Sequence, residues 1–223
     1  MKAERCSVRF LVFGASLRHD SYNGRQANLA ATVLEEKGAT VDRVSMRDFE
    51  CPFFDQDVEV SKGIPDGAVR LRDRLLAADA YIIASPEYNA SMPAVLKNTI
   101  DWESRFKPQP FKGKRGLLMS ASPSMVGGNR GLWVLRVPLE HLGSPVYPDM
   151  FSLAQAHEAL AENGRLKDAT LQKYFESTVD CFVEGVEAIK HFPAMKTQWI
   201  EFLGERPTKA TERVEESVVP EAA

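Results

Sequence analysis

Short, unbroken apolar runs alternate along this chain with longer stretches in which apolar residues recur at helical spacing. Val8 to Phe13 is a compact apolar run without polar alternation, as expected for a strand buried on both faces of a parallel sheet, and it stops at Gly14. From Gly24 to Lys37 the composition favours helix, with Leu29, Val33 and Leu34 on one side and Gly38 where a C-terminal cap belongs. A second strand is predicted at Thr40 to Ser45, followed by an irregular stretch from Asp48 to Gly63 that carries Pro52, Phe53 and Phe54. Pro65 to Ala78 reads as a helix with Ala68, Leu71 and Leu75 inward and Arg70, Asp73 and Arg74 toward water. A third, wholly apolar strand covers Ala80 to Ala84. Ser91 to Arg105 is predicted as a helix, with Ser91 as N-cap and Pro93 in the first turn. A fourth strand at Gly116 to Ser120, a helix over Asn129 to Leu142 ending at Gly143, a short fifth strand near Pro145 to Tyr147 and a last helix from Leu166 to His191 complete the pattern.

Strands and helices in this alternation imply an α/β architecture with right-handed crossovers. Five strands suit a flavodoxin-like three-layer sandwich, its parallel sheet in the order 2-1-3-4-5 and its ligand at the carboxyl ends of the strands. Residues 1–191 are expected to form that domain and 192–223 a C-terminal extension. The segment from Gly204 to Ala223 has no aromatic residue but five glutamates and two prolines, so disorder is expected from about residue 204.

Composition narrows the function classes. Of 223 residues, 44% are hydrophobic and 26% charged, which fits one ordinary globular domain with an appendage. The net charge of −3 gives no global field to recruit nucleic acid or a membrane surface, so any bound anion must be held by local groups. Cys6, Cys51 and Cys181 are odd in number and widely spaced, which speaks against a disulfide framework. The four histidines show no zinc-ligand spacing, and no metal is expected. Phe10 to Ala15 is too short an apolar stretch to cross a membrane and lacks a cleavage site after it, so a cytoplasmic protein is expected.

Three loops carry the candidate chemistry. Gly14 to Asn23 lies between a buried strand and a helix N-terminus, where unpaired backbone N–H groups and the helix dipole favour an anion. Ser16, Ser21 and Asn23 add neutral donors and Arg18 a charged fork. The loop matches neither G-x-G-x-x-G nor G-x-x-x-x-G-K-[ST]. Taken alone it reads equally as a phosphate cradle or as a helix cap built from Ser21 and Asn23.

The second loop, Ser85-Pro86-Glu87-Tyr88-Asn89-Ala90-Ser91-Met92-Pro93-Ala94-Val95-Leu96-Lys97-Asn98-Thr99-Ile100-Asp101-Trp102, resembles the signature of the NADPH-dependent FMN reductase family, roughly P-E-Y-N-x-S-x-P-x-x-L-K-N-x-I-D-W. The first loop is similar to that family's G-S-L-R-x-x-S-x-N phosphate loop. The resemblance implies an enzyme with bound FMN and NADPH or NADH as hydride donor, passing hydride by a ping-pong mechanism to a quinone, flavin, azo compound or metal oxyanion. It implies that Ser16, Arg18, Ser21 and Asn23 hold the phosphate. Pro86 would fix the turn, the backbone from Glu87 to Asn89 would meet the polar edge of the isoalloxazine, and Tyr88 would offer an aromatic wall. Lys97 and Asp101, one helical turn apart, are expected to form a local ion pair or to meet a partner subunit.

The third loop, Ser120 to Gly128, resembles the family's S-x-G-x-x-G-G segment. Ser120, Ser122 and Gly127 are candidate flavin contacts, although Gly127 and Gly128 equally suit a simple turn. Leu135 to Gly143 resembles a family helix in which Pro138 is a departure that predicts a kink or break. The resemblance implies a homodimer or homotetramer meeting through the helices near 91–105 and 129–142. No side chain is assigned an acid, base or nucleophilic role, and Cys51 is expected to be inert. Arg105 and Lys107 are candidates, by charge, for a ribose 2′-phosphate. The alternative from another class is a flavodoxin-like carrier that binds FMN without turnover.

Overall fold

The computed structural model describes residues 8–191. The expectation of disorder from about residue 204, and the assignment of 192–223 as an extension, lie outside the described residues. Five parallel strands, β1 (Arg9–Gly14), β2 (Thr40–Ser45), β3 (Ala80–Ala84), β4 (Arg115–Ala121) and β5 (Phe151–Leu153), form one sheet in the expected order β2-β1-β3-β4-β5.

The continuous apolar runs are explained by helices on both faces of the sheet. Successive residues of a strand point to opposite sides. Phe10, Val12, Ile82, Leu117 and Met119 pack against α1 (Tyr22–Glu36) and α7 (Ala169–His191). Their neighbours Leu11, Phe13, Ile83 and Leu118 pack against α3 (Asp66–Ala77), α4 (Ala94–Glu103) and α5 (Asn129–His141).

Several boundaries differ from the sequence reading. The fifth strand is Phe151–Leu153 rather than Pro145 to Tyr147. Val146 makes only an isolated bridge to Gly116, because Pro145 and Pro148 supply no N–H and the chain rejoins β4 only at the Met119–Phe151 register. The stretch read as irregular holds a 3-10 turn, Met46–Phe49, closed by a Ser45–Asp48 capping box, and a short α2 (Gln56–Lys62) capped by Asp55. Helix α4 starts after Pro93, not at Ser91, since Ser91 is paired with Tyr88. Pro138 does not break α5. Its missing N–H leaves the Val134 carbonyl without a helical donor on the outer side of α5, where Val134 and Val137 are exposed. A four-residue α6 (Ala156–Ala159) follows β5.

Candidate functional site

Loops after β1, β3 and β4 meet at the carboxyl edge of the sheet. In the first, β1 runs straight into the start of α1. A Cβ on Gly14 would sit 2.8 Å from the Gly24 Cα, so only glycine lets strand and helix approach this closely. The Ser21 Oγ accepts from the Gly24 N–H at 3.0 Å, and no acidic residue stands in the first turn of α1. Within the first turn no carboxylate offsets the positive end of the helix dipole; Asp20, just before the Ser21 cap, lines the same cleft and stands 4.0 Å from Arg25. The Ser16 Oγ accepts from the Arg18 N–H at 3.2 Å, and the exposed Arg18 guanidinium lies 5.8 Å from the centre of the Tyr22 ring.

Ser16, Arg18 and Ser21 line a cleft of about 270 Å³ whose far wall includes Arg43 and Arg47. Those two arginines were missed in the sequence. They reach the loop only because β1 and β2 run in register, Phe13 beside Val44 and Gly14 beside Ser45. Arg43 is paired with Glu35, while the Arg47 guanidinium donates to the Leu17 carbonyl and so ties the loop to the end of β2.

Asn23 does something other than offer a side-chain donor to the cleft. It is 3% exposed; its Nδ2 donates to the Ala121 carbonyl at 2.9 Å and its Oδ1 accepts from the Ala121 N–H at 2.9 Å. This reciprocal pair fastens α1 to the end of β4 and engages both ends of the amide.

The second loop is a tight reversal. Tyr88 and Ser91 exchange backbone hydrogen bonds of 2.9 and 3.1 Å, with Asn89 and Ala90 between them at φ of 52° and 59°. Two successive left-handed residues define a type I′ turn. Pro86 is buried at its base and Tyr88, 53% exposed, stands at its edge. The Glu87 side chain does not face the loop's open side. Its Oε1 accepts from the Arg130 Nε at 2.8 Å and its Oε2 from the Gly131 N–H at 3.2 Å, and it is 8% exposed. Burial pushes the Glu87 carboxyl up, but Arg130 and the Gly131 N–H outweigh it and hold the group below its ordinary range.

Further along the motif, residues act as structural fasteners. The Asn98 Oδ1 accepts from the Phe54 N–H at 2.7 Å, and the Pro52 carbonyl accepts from both the Asn98 Nδ2 (2.9 Å) and the Trp102 Nε1 (2.8 Å). The segment after β2 is thereby strapped to α4. Lys97 and Asp101 form the expected local ion pair at 2.7 Å. Arg105 is engaged by Glu59 at 2.9 Å.

In the third loop the turn role is visible directly. The Ser120 Oγ donates to the Gly127 carbonyl at 2.7 Å and the residue is fully buried. Gly127 has φ +67°, and a Cβ there would lie 2.9 Å from the Ala154 backbone nitrogen, so its hydrogen faces the segment after β5. Ser122, half-buried, hydrogen-bonds to Ser124 at 3.1 Å.

The connections that follow β1, β2, β3 and β4 each carry exposed apolar side chains: Leu17, Phe53, Tyr88, and Met125 with Val126. A basic cleft beside a broken apolar rim suits a flat ligand with an anionic tail. Among the described residues no group of three or more histidine, cysteine, aspartate or glutamate side chains could hold a metal ion. Burial, followed by the nearby Glu103 carboxyl, pushes the Cys51 thiol up to about 11, which leaves it unreactive at neutral pH.

The chain as a whole is similar to proteins of one known family. The NADPH-dependent FMN reductase family matches residues 8–158. An NAD(P)H-dependent FMN reductase of Pseudomonas aeruginosa is 36% identical over 162 residues, 72% of this chain and 85% of the relative. A quinone reductase of Escherichia coli K12 is 30% identical over 177 residues, 78% of this chain and 93% of that protein. Among solved structures, the flavoenzyme NAD(P)H:(acceptor) oxidoreductase FerB from Paracoccus denitrificans superposes with a TM-score of 0.69 at 28% identity, covering 81% of this chain and 98% of FerB.

Proposed function

The chain belongs to the NADPH-dependent FMN reductase family, and from that premise we propose that it moves hydride from NADPH or NADH to a small oxidised acceptor of the quinone, flavin, azo or metal-oxyanion class, by a ping-pong mechanism. FMN, when bound, supplies the hydride chemistry of this oxidoreductase family. The chain's own contribution is position and charge. The observation that carries the assignment is the cleft at the start of α1: Arg18, the Ser16 and Ser21 hydroxyls and the N-terminal end of the helix converge there, and their donor chemistry fits a phosphate monoester.

In this reading the backbone of the Tyr88–Ser91 turn presents polar groups to the ring edge and Tyr88 covers one end of the ring. Pro86 sets the base of that turn, and Asn89 is carried at its exposed tip. Ser120, Ser122 and Gly127 shape the third loop so that its backbone passes close by. The exposed apolar rim leaves one face open, so donor and acceptor occupy it in turn. The quinone class is favoured by the name of the Escherichia coli relative, a quinone reductase.

We also place a second copy of the chain on α5, where Trp133, Val134 and Val137 are exposed on one helix face, giving a homodimer or homotetramer. Among the described residues no helix is long and apolar enough to cross a membrane, and a cytoplasmic location is proposed with the rest. The test is steady-state oxidation of NADPH and of NADH by the FMN-loaded protein with a quinone acceptor, alongside light scattering. Sustained turnover is expected. A single stoichiometric reduction with no cycling would mark a carrier and refute the enzymatic reading.

A further inference from the structure

Asn89 and Ala90 hold positive φ without being glycine, and Ala90 has no polar side chain to offset the clash of its Cβ with the backbone. A turn of this kind persists only where its surroundings over-determine it. The Tyr88–Ser91 bridge supplies part of that constraint. The residue just before the turn supplies the rest.

Helix α5 begins at Gly128, a left-handed N-cap without a side chain, so its first-turn N–H groups need an acceptor from elsewhere. Glu87 provides it, accepting from the Gly131 N–H while Arg130 binds the same carboxylate. A negative charge at this end of a helix is also favoured by the dipole. Contact is close here: a Cβ at Gly131 would lie 3.2 Å from the Glu87 Cα and 3.1 Å from the Ser91 carbonyl oxygen, so those neighbours would have to give way slightly to admit one. The first turn of α5 thus rests on both ends of the strained turn.

We infer that Glu87 is a positioning residue. Through Arg130 and the first turn of α5 it holds the Tyr88–Ser91 turn in its left-handed form, and so fixes the height and tilt of Tyr88 and of the turn's backbone against the flavin, without its carboxylate touching the flavin. The inference rests on the flavin reading above and replaces a direct ring contact with an indirect one.

The test is FMN titration, by fluorescence quenching, of the full-length wild type, Glu87→Gln, Arg130→Gln and the double variant. Each single change is expected to weaken FMN binding about tenfold, equivalent to one broken charge-assisted contact, and the double variant to be no weaker than the worse single. Adding Ala90→Gly to Glu87→Gln should recover most of the loss, because glycine tolerates the turn unaided. Unchanged binding in Glu87→Gln, additive losses in the double variant, or failure of Ala90→Gly to restore binding would each overturn the inference. Should Glu87→Gln fail to fold, Arg130→Gln, at an exposed arginine, is compared with and without Ala90→Gly and judged by the same outcomes. Amide exchange at Tyr88, Ser91 and Gly131 in the flavin-free protein gives a separate reading: faster exchange in Glu87→Gln supports the clamp, and equal exchange refutes it. A wild type that binds no FMN would sink the flavin reading itself, a result distinct from either.

Discussion

Glu103, the last residue of α4, is fully buried, and neither of its carboxyl oxygens has a hydrogen-bond partner. Burial pushes it from an ordinary 4.5 to about 9; the Arg72 charge pulls down and Asp73 pushes up, but neither outweighs the loss of water. The folded protein therefore keeps Glu103 neutral at pH 7, whereas the unfolded chain ionises it. With the folded value raised, stability is fully present below pH 4.5 and is lost as pH climbs toward 9, at about 1.4 kcal/mol per pH unit. At pH 7 the accumulated cost is about 3 kcal/mol, a large share of the 5–15 kcal/mol typical of a domain. Glu103→Gln keeps the shape and cannot ionise. In urea denaturation of flavin-free protein at matched concentration, the variant should equal the wild type near pH 4.5 and exceed it by about 3 kcal/mol at pH 7. A stability difference that stays constant across that range would refute the reasoning, because it would mean that the carboxyl finds water or a partner in the folded protein.

Two further substitutions test how the loops are held. Asn23→Ala removes both hydrogen bonds to Ala121 and leaves its buried N–H and carbonyl without partners, so a loss of about 2–4 kcal/mol is expected in denaturation experiments, and an unchanged midpoint would show that α1 is not fastened there. Gly127→Ala places a Cβ 2.9 Å from the Ala154 nitrogen at positive φ, and should lower the melting temperature and speed amide exchange in the third loop; an unaffected melt would mean the loop can move aside.

How much of this was legible in the sequence depends on the range of the interactions involved. Buried parallel strands announce themselves locally, so β1, β3 and β4 could be read from runs such as Ala80 to Ala84, whereas the half-exposed edge strand β2 and the sheet order follow from the alternation of strands and helices. The fifth strand could not be read, because two prolines decide which residues of 145–153 reach β4, and three paired residues leave little pattern. At the site, residue types told what chemistry was available but not which way a side chain turns. Ser16, Arg18 and Ser21 do meet at one cleft. Asn23 and Ser120, chosen for the same polar character, face inward, since the backbone groups they satisfy lie 98 and 7 residues away. Glu87 likewise turns to Arg130, 43 positions along the chain. Arg43 and Arg47 carried no motif and enter the cleft only through strand register. Asn98 and Trp102 belong to the recognisable motif, yet what they do, holding the segment after β2, becomes visible only with the Pro52 carbonyl placed between them.

In the proposed function the cleft at the start of α1 binds the phosphate of a flavin mononucleotide. Parallel titrations of the full-length protein with FMN and with riboflavin, for the wild type and Arg18→Ala, measure the phosphate's share of the binding directly. One FMN per chain is expected, with a marked preference for FMN over riboflavin in the wild type and a fall of about 10–100-fold in FMN affinity with little change for riboflavin in Arg18→Ala. Equal affinity for the two ligands in the wild type, or an Arg18→Ala variant that keeps its preference intact, would contradict it.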